Sequence, residues 1–156
     1  MASYEQIRGN LVRQMKGMEL LQSLLEEEFS LLRENRTEDV VALEFSVHEL
    51  LRQLASERME VKDIMQETRV AEYAALLEPE QEAEIKGYLA AIDKAEQKAA
   101  RQASHNTQLS LALLDQSQEL LDYLHEQVRP QNQAVYGRKG AYRAHRPEAA
   151  LFVGRT

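Results

Sequence analysis

Three times along this chain apolar residues recur at alternating spacings of three and four, a pattern that hides its apolar surface only by packing helix against helix. The first stripe runs Tyr4, Ile7, Leu11, Met18, Leu21, Leu25 and Leu32. Gln14 and Glu28 fall on it as polar interruptions, and Met15 and Phe29 beside them keep that side apolar. Ser3 and Gln6 have the capping-box spacing, in which a hydroxyl accepts from a first-turn N–H and the amide reaches back to the cap, so a helix is predicted to start there. Its run of about 30 residues makes a rod of roughly 45 Å.

The polar Arg33-Glu34-Asn35-Arg36 ends that stripe, and Thr37 before Glu38 and Asp39 reads as the N-cap of a second helix. The second stripe follows as Val40, Leu43, Val47, Leu50, Leu54, Val61 and Ile64, broken by Glu57 and Arg58. So short a connection predicts an antiparallel helical hairpin. Residues 71–77 are apolar and helix-forming, which allows a short extra helix near 70–77, and Pro79 forces a break near Glu78. Pro79 then suits the first position of a third long helix, with Glu80, Glu82 and Glu84 at the positive end of its dipole. Its stripe is Ile85, Leu89, Ile92, Ala95, Ala99, Ala103, Asn106, Leu109, Leu113, Leu120 and Leu124, ending near Val128 before Pro130. Between Asp93 and Gln108 the apolar members of that stripe are only Ala, which permits close helix approach but little transfer free energy, at ~25 cal/mol per Å² buried. That stretch is expected to be the least stable. The expected fold is all-α: an elongated antiparallel bundle of three long helices over residues 1–130, and a basic, mostly irregular tail over 131–156.

Charge divides the chain the same way. Residues 1–78 carry 9 basic and 16 acidic side chains, residues 79–128 carry 4 and 9, and residues 129–156 carry 6 and 1. An acidic helical body repels a nucleic-acid backbone, and six cations spread over the tail are too sparse for a strong nucleic-acid arm, so no nucleic-acid partner is expected. With no cysteine there is neither a disulfide framework nor a thiolate metal site. No basic-then-apolar leader opens the chain and no segment approaches the ~20 apolar residues of a membrane span, so a cytoplasmic address and no membrane insertion are expected.

Catalytic constellations are absent from the pattern. A di-metal carboxylate bundle needs Glu-x-x-His motifs, and the nearest approaches are Asp122-Tyr123-Leu124-His125 and the pair Glu44 and His48. Gly137-Arg138-Lys139-Gly140 lacks the strand-to-helix setting of a phosphate loop. No enzyme activity, metal or cofactor is expected. Asn106 sits on the third stripe and is read two ways, as a buried amide that sets helix register or as a half-exposed surface residue. Leu109, Leu113, Leu120 and Leu124 continue the stripe, while Leu111, Leu114, Leu121 and Tyr123 widen this end beyond what two neighbouring helices cover. That excess suits a groove for an amphipathic helix.

Several of these features come together in one resemblance. Leu24-Leu25-Glu26-Glu27-Glu28-Phe29-Ser30-Leu31-Leu32 lies in the first helix, and Leu50-Leu51-Arg52-Gln53-Leu54 with Glu57-Arg58 in the second. Asn106 precedes Leu109 and Leu113 in the last, and Tyr136-Gly137-Arg138-Lys139-Gly140 closes the series. In this order they resemble the FlgN-type flagellar export chaperones, although Lys139 stands where that pattern often has an acid and residues 141–156 find no counterpart. The resemblance implies a cytoplasmic bacterial protein without a cofactor that binds hook-filament junction proteins and presents them to the flagellar type III export gate. It also implies that the end of the last helix and the residues after it hold the C-terminal region of the cargo. The partner-binding residues expected on these grounds are Leu109, Leu113, Leu114, Leu120, Leu121, Tyr123, Leu124, Val128, Tyr136, Gly137 and Gly140, in a monomer or weak homodimer. The competing reading is a structural coiled-coil adaptor whose stripes are satisfied by self-association.

Overall fold

The computed structural model describes residues 3–129, and the regular elements among them are all helices. They are α1 (Tyr4–Arg33), α2 (Thr37–Met65), α3 (Val70–Ala74) and α4 (Pro79–Val128). The chain divides into two units, Met1–Leu111 and Ala112–Thr156.

In the first unit α1 opens with the expected capping box. Ser3 Oγ accepts from the Gln6 N–H at 3.2 Å and the Ser3 N–H donates to Gln6 Oε1 at 3.2 Å. The helix closes in a Schellman turn: the Arg36 N–H donates to the Leu31 carbonyl, the Asn35 N–H to that of Leu32, and Asn35 takes the left-handed conformation at φ 56°. Thr37 is therefore the first residue of α2 and not its cap; Arg36 occupies the cap position and makes no side-chain cap bond. The chain has already been reversed by Asn35, which leaves the threonine no capping task. Short α3 forms where an extra helix was allowed, with Ala74 fully buried, and Pro79 begins α4 as expected.

Helix direction follows from paired residues. Asn10 meets Glu57 and Glu60 while Gly17 packs on Leu54, so α1 and α2 run antiparallel. Arg8 bonds Glu84 and Leu25 accepts from Asn106, so this part of α4 runs in the direction of α1. Two apolar clusters form the core. One gathers Ile7, Leu11, Val61, Met65, Ala74, Ile85 and Ile92; the other gathers Met18, Leu21, Leu25, Val47, Leu50, Leu54 and Ala99. At the end of α1 it is Leu31 that is buried, with Leu32 only partly covered.

The polar interruptions of the first stripe lie inside. Gln14 and Glu28 are both buried, and Gln14 sits on α1 between Leu11 and Met18, where the two clusters divide. Gln14 Nε2 donates to Asn10 Oδ1 at 2.6 Å, and the buried Asn10 amide shares its two hydrogens among the Glu57 carbonyl and the Glu57 and Glu60 carboxylates at 2.8–2.9 Å. Arg13 closes this network from outside, with Nε 2.8 Å from Glu57, and it holds the Glu57 carboxyl below its usual range. Asn106 resolves to the buried alternative: its Nδ2 donates to the Leu25 carbonyl at 2.8 Å and its Oδ1 accepts from Gln102. Because a buried amide without partners costs ~1–3 kcal/mol, each of these side chains also fixes a register.

Candidate partner-binding surface

On the second unit the described residues form the last part of α4, and its large apolar residues and its acids separate by helical angle, with Gln116, Ser117 and Gln127 interspersed among the apolar ones. At about 100° per residue, Tyr123, Leu120, Leu113, Leu124, Val128, Leu121 and Leu114 fall in one arc of roughly 180°. Asp115, Glu119, Asp122 and Glu126 form a ridge on the opposite side. No Lys or Arg occurs between Arg101 and Arg129, so the ridge has no Lys or Arg beside it on its own helix. The apolar arc is open to solvent: Leu114 is 63%, Leu120 57%, Tyr123 58% and Val128 73% exposed, and Leu121 and Leu124 are nearly half exposed. Leu113 is half-buried, as is Leu109, which belongs to the first unit. The helix reaches Val128, and the Arg129 N–H donates to the His125 carbonyl at 2.8 Å just beyond it.

Large apolar side chains are usually the first to be buried, so a run of exposed ones on one face of a helix stands out from the rest of the surface. The expected residues Leu114, Leu120, Leu121, Tyr123, Leu124 and Val128 therefore lie on one exposed face. Tyr136, Gly137, Gly140 and the rest of the tail over 131–156 lie outside the described residues.

A family model described as FlgN protein matches residues 1–144. The chain belongs to the FlgN family. No curated protein and no solved structure matches it. FlgN proteins are a chaperone family of the flagellum. Among the described residues no group of three His, Asp or Glu side chains is arranged to hold a metal ion. Glu44 and His48 do come together, at 3.4 Å, but as an exposed ion pair on α2. No helix among the described residues is long and apolar enough to cross a membrane.

Two polar sites of this FlgN chain were not read from its sequence. Glu84 accepts from Tyr4 Oη, from Arg8 Nε at 2.8 Å and from Tyr88 Oη at 3.0 Å, joining the starts of α1 and α4. Those donors, Tyr4 first, hold its carboxyl down at about 2 and raise the Tyr4 phenol to about 12. In the sequence Glu84 is one of several acids near the start of α4, and only the Tyr4 and Arg8 spacing hints at a partner. The Asn10 network is likewise visible only as an i,i+4 amide pair with Gln14, at the edge of an apolar stripe.

Proposed function

We propose that this FlgN-family protein is a cytoplasmic export chaperone that holds the C-terminal helical segment of a flagellar hook-filament junction protein and delivers it to the type III export gate. The observation that carries the reading is the exposed apolar face of α4 from Leu113 to Val128 in a chain of this family. An amphipathic cargo segment laid on that face covers both apolar surfaces until export, the helix-in-groove mode of recognition. Leu109, Leu113, Leu114, Leu120, Leu121, Tyr123, Leu124 and Val128 supply the contact, with Tyr136, Gly137 and Gly140 continuing it into the tail. The acidic ridge keeps the other side of the helix in water and discourages pairing with a second copy through that side.

Replacing Leu120 and Leu124 by Gln keeps helix propensity and removes two half-exposed apolar side chains, each contributing on the order of 1 kcal/mol when covered. Calorimetric titration of the full-length double variant with a hook-filament junction protein is expected to show binding weakened about tenfold or more. Leu20→Gln, an exposed position on α1, serves as the control and is expected to bind normally. Unchanged affinity in the double variant refutes the site. A tight dimer in sedimentation that the same double substitution dissolves would instead favour the self-associating adaptor.

A further inference from the structure

A groove of about 700 Å³ opens in the first unit, between α2 and α4, with Met18, Leu21 and Leu25 of α1 as its floor. It exists because α4 presents Ala99, Ala100 and Ala103 here. Short side chains that could have let the helices close instead leave space a Leu would fill. Its rims carry Leu51 of α2 and Leu111 of α4, both large and exposed at 44% and 56%. One end is closed by the Arg58–Glu96 ion pair. The other end is lined by Glu28 of α1, Glu44 of α2 and Asn106 of α4.

That second end is electrostatically incomplete. Glu28 is 9% exposed, and among the described residues no Lys or Arg lies within ion-pair distance of it or of Glu44, whose partner is His48 at 3.4 Å. Burial, and then the neighbouring Glu44 carboxyl, push the Glu28 carboxyl up to about 7, so its charged form is disfavoured for want of a cation beside it. A buried charge without its counterion, at the mouth of an apolar groove, selects for an occupant that brings the opposite charge.

We propose that this groove is a second docking surface, for an amphipathic partner helix of about three turns that lays small and medium apolar side chains on Met18, Leu21 and Leu25 and sets a Lys or Arg between Glu28 and Glu44. The length follows from the span Met18 to Glu28 at 1.5 Å per residue, about 15 Å. The acidic α4 segment of a second copy, with Asp115, Glu119, Asp122 and Glu126, is excluded by like charge.

The test uses the full-length protein and two labelled Leu/Ala helical peptides of about 14 residues, one ending in two Lys and one in two Glu. Fluorescence anisotropy at low salt is expected to give about tenfold tighter binding of the Lys peptide. Glu28→Gln with Glu44→Gln removes the preference. Leu51→Arg, on the exposed rim where folding is not at stake, weakens the Lys peptide about tenfold. Asp115→Asn with Glu119→Gln, and Leu120→Gln with Leu124→Gln, leave that binding unchanged, which separates this surface from the α4 face. Equal binding of the two peptides, binding of neither, or an ineffective Leu51→Arg overturns the proposal. So does a photo-crosslinker at position 51 that joins residues 131–156 of the same chain or a second copy.

Discussion

Gly17 is a point where α1 packs tightly on Leu54 of α2, and it can be tested against two glycines that differ from it only in surroundings. A Cβ placed on Gly17 would stand 2.7 Å from Leu54 Cδ2 and 3.4 Å from Leu54 Cγ, whereas one on Gly87 meets nothing within 4 Å and one on Gly9 touches only the Arg13 guanidinium at 3.5 Å. Gly→Ala in a helix interior gains ~1 kcal/mol from backbone entropy alone. Gly87→Ala and Gly9→Ala are therefore expected to stabilise the protein by about 0.5–1 kcal/mol each. At Gly17 the same gain is opposed by overpacking. Carbon atoms sit comfortably at about 3.5–4 Å, so Leu54, 6% exposed within the second apolar cluster, must withdraw by roughly 1 Å at a cost of ~1–3 kcal/mol. Gly17→Ala is expected to lie between neutral and about 2 kcal/mol destabilising, and Gly17→Val to be worse. Urea unfolding followed by helical circular dichroism measures all of them. In a Leu54→Ala background, Gly17→Ala should recover the stabilising sign, which isolates the clash by a double-mutant cycle. If Gly17→Ala and Gly87→Ala stabilise equally, the close approach of α1 and α2 at this point is wrong.

The buried polar groups set two further outcomes. Glu28 has a carboxyl raised to about 7 from an ordinary value near 4.5, so the folded state holds a proton the unfolded chain has released. Its contribution is fully present below about 4.5 and is lost as pH rises through 7, on the order of 1–3 kcal/mol, and Glu28→Gln should flatten the stability profile in that window. Glu84 acts in the opposite sense, since its lowered carboxyl favours the folded state above about 4.5 and ceases to do so as pH falls through 2. A stability maximum near pH 5, read from urea midpoints, is the combined expectation; a flat wild-type profile between pH 5 and 8 refutes the Glu28 part. Asn10→Ala strands the Gln14 amide and the Glu57 groups and should cost about 2–3 kcal/mol by the same unfolding assay, while Gln53→Ala on the exposed side of α2 should cost almost nothing.

What the sequence alone determined is most of what depends on neighbours within a few residues, the cap expected at Thr37 excepted. The capping box at Ser3 and Gln6, the end of α1 before Asn35, the break at Pro79 and the limits of α4 rest on local hydrogen bonding and backbone sterics, and they stand where the residues put them. The apolar face from Leu113 to Val128 was legible for the same reason, because a helical angle needs only the sequence and its excess over a stripe is visible without a partner. The tertiary structure decided what the stripe's polar members do. Gln14, Glu28 and Asn106 read as interruptions or ambiguities because a polar residue's burial depends on whether a distant chain segment brings a bonding partner. Here Glu44 and the Leu25 carbonyl do so, and Glu57 and Glu60 of α2 do so for the Asn10 amide that in turn bonds Gln14. The Ala run of α4 was read as permitting close helix approach, and only the placement of α2 opposite it turned that run into the wall of a groove.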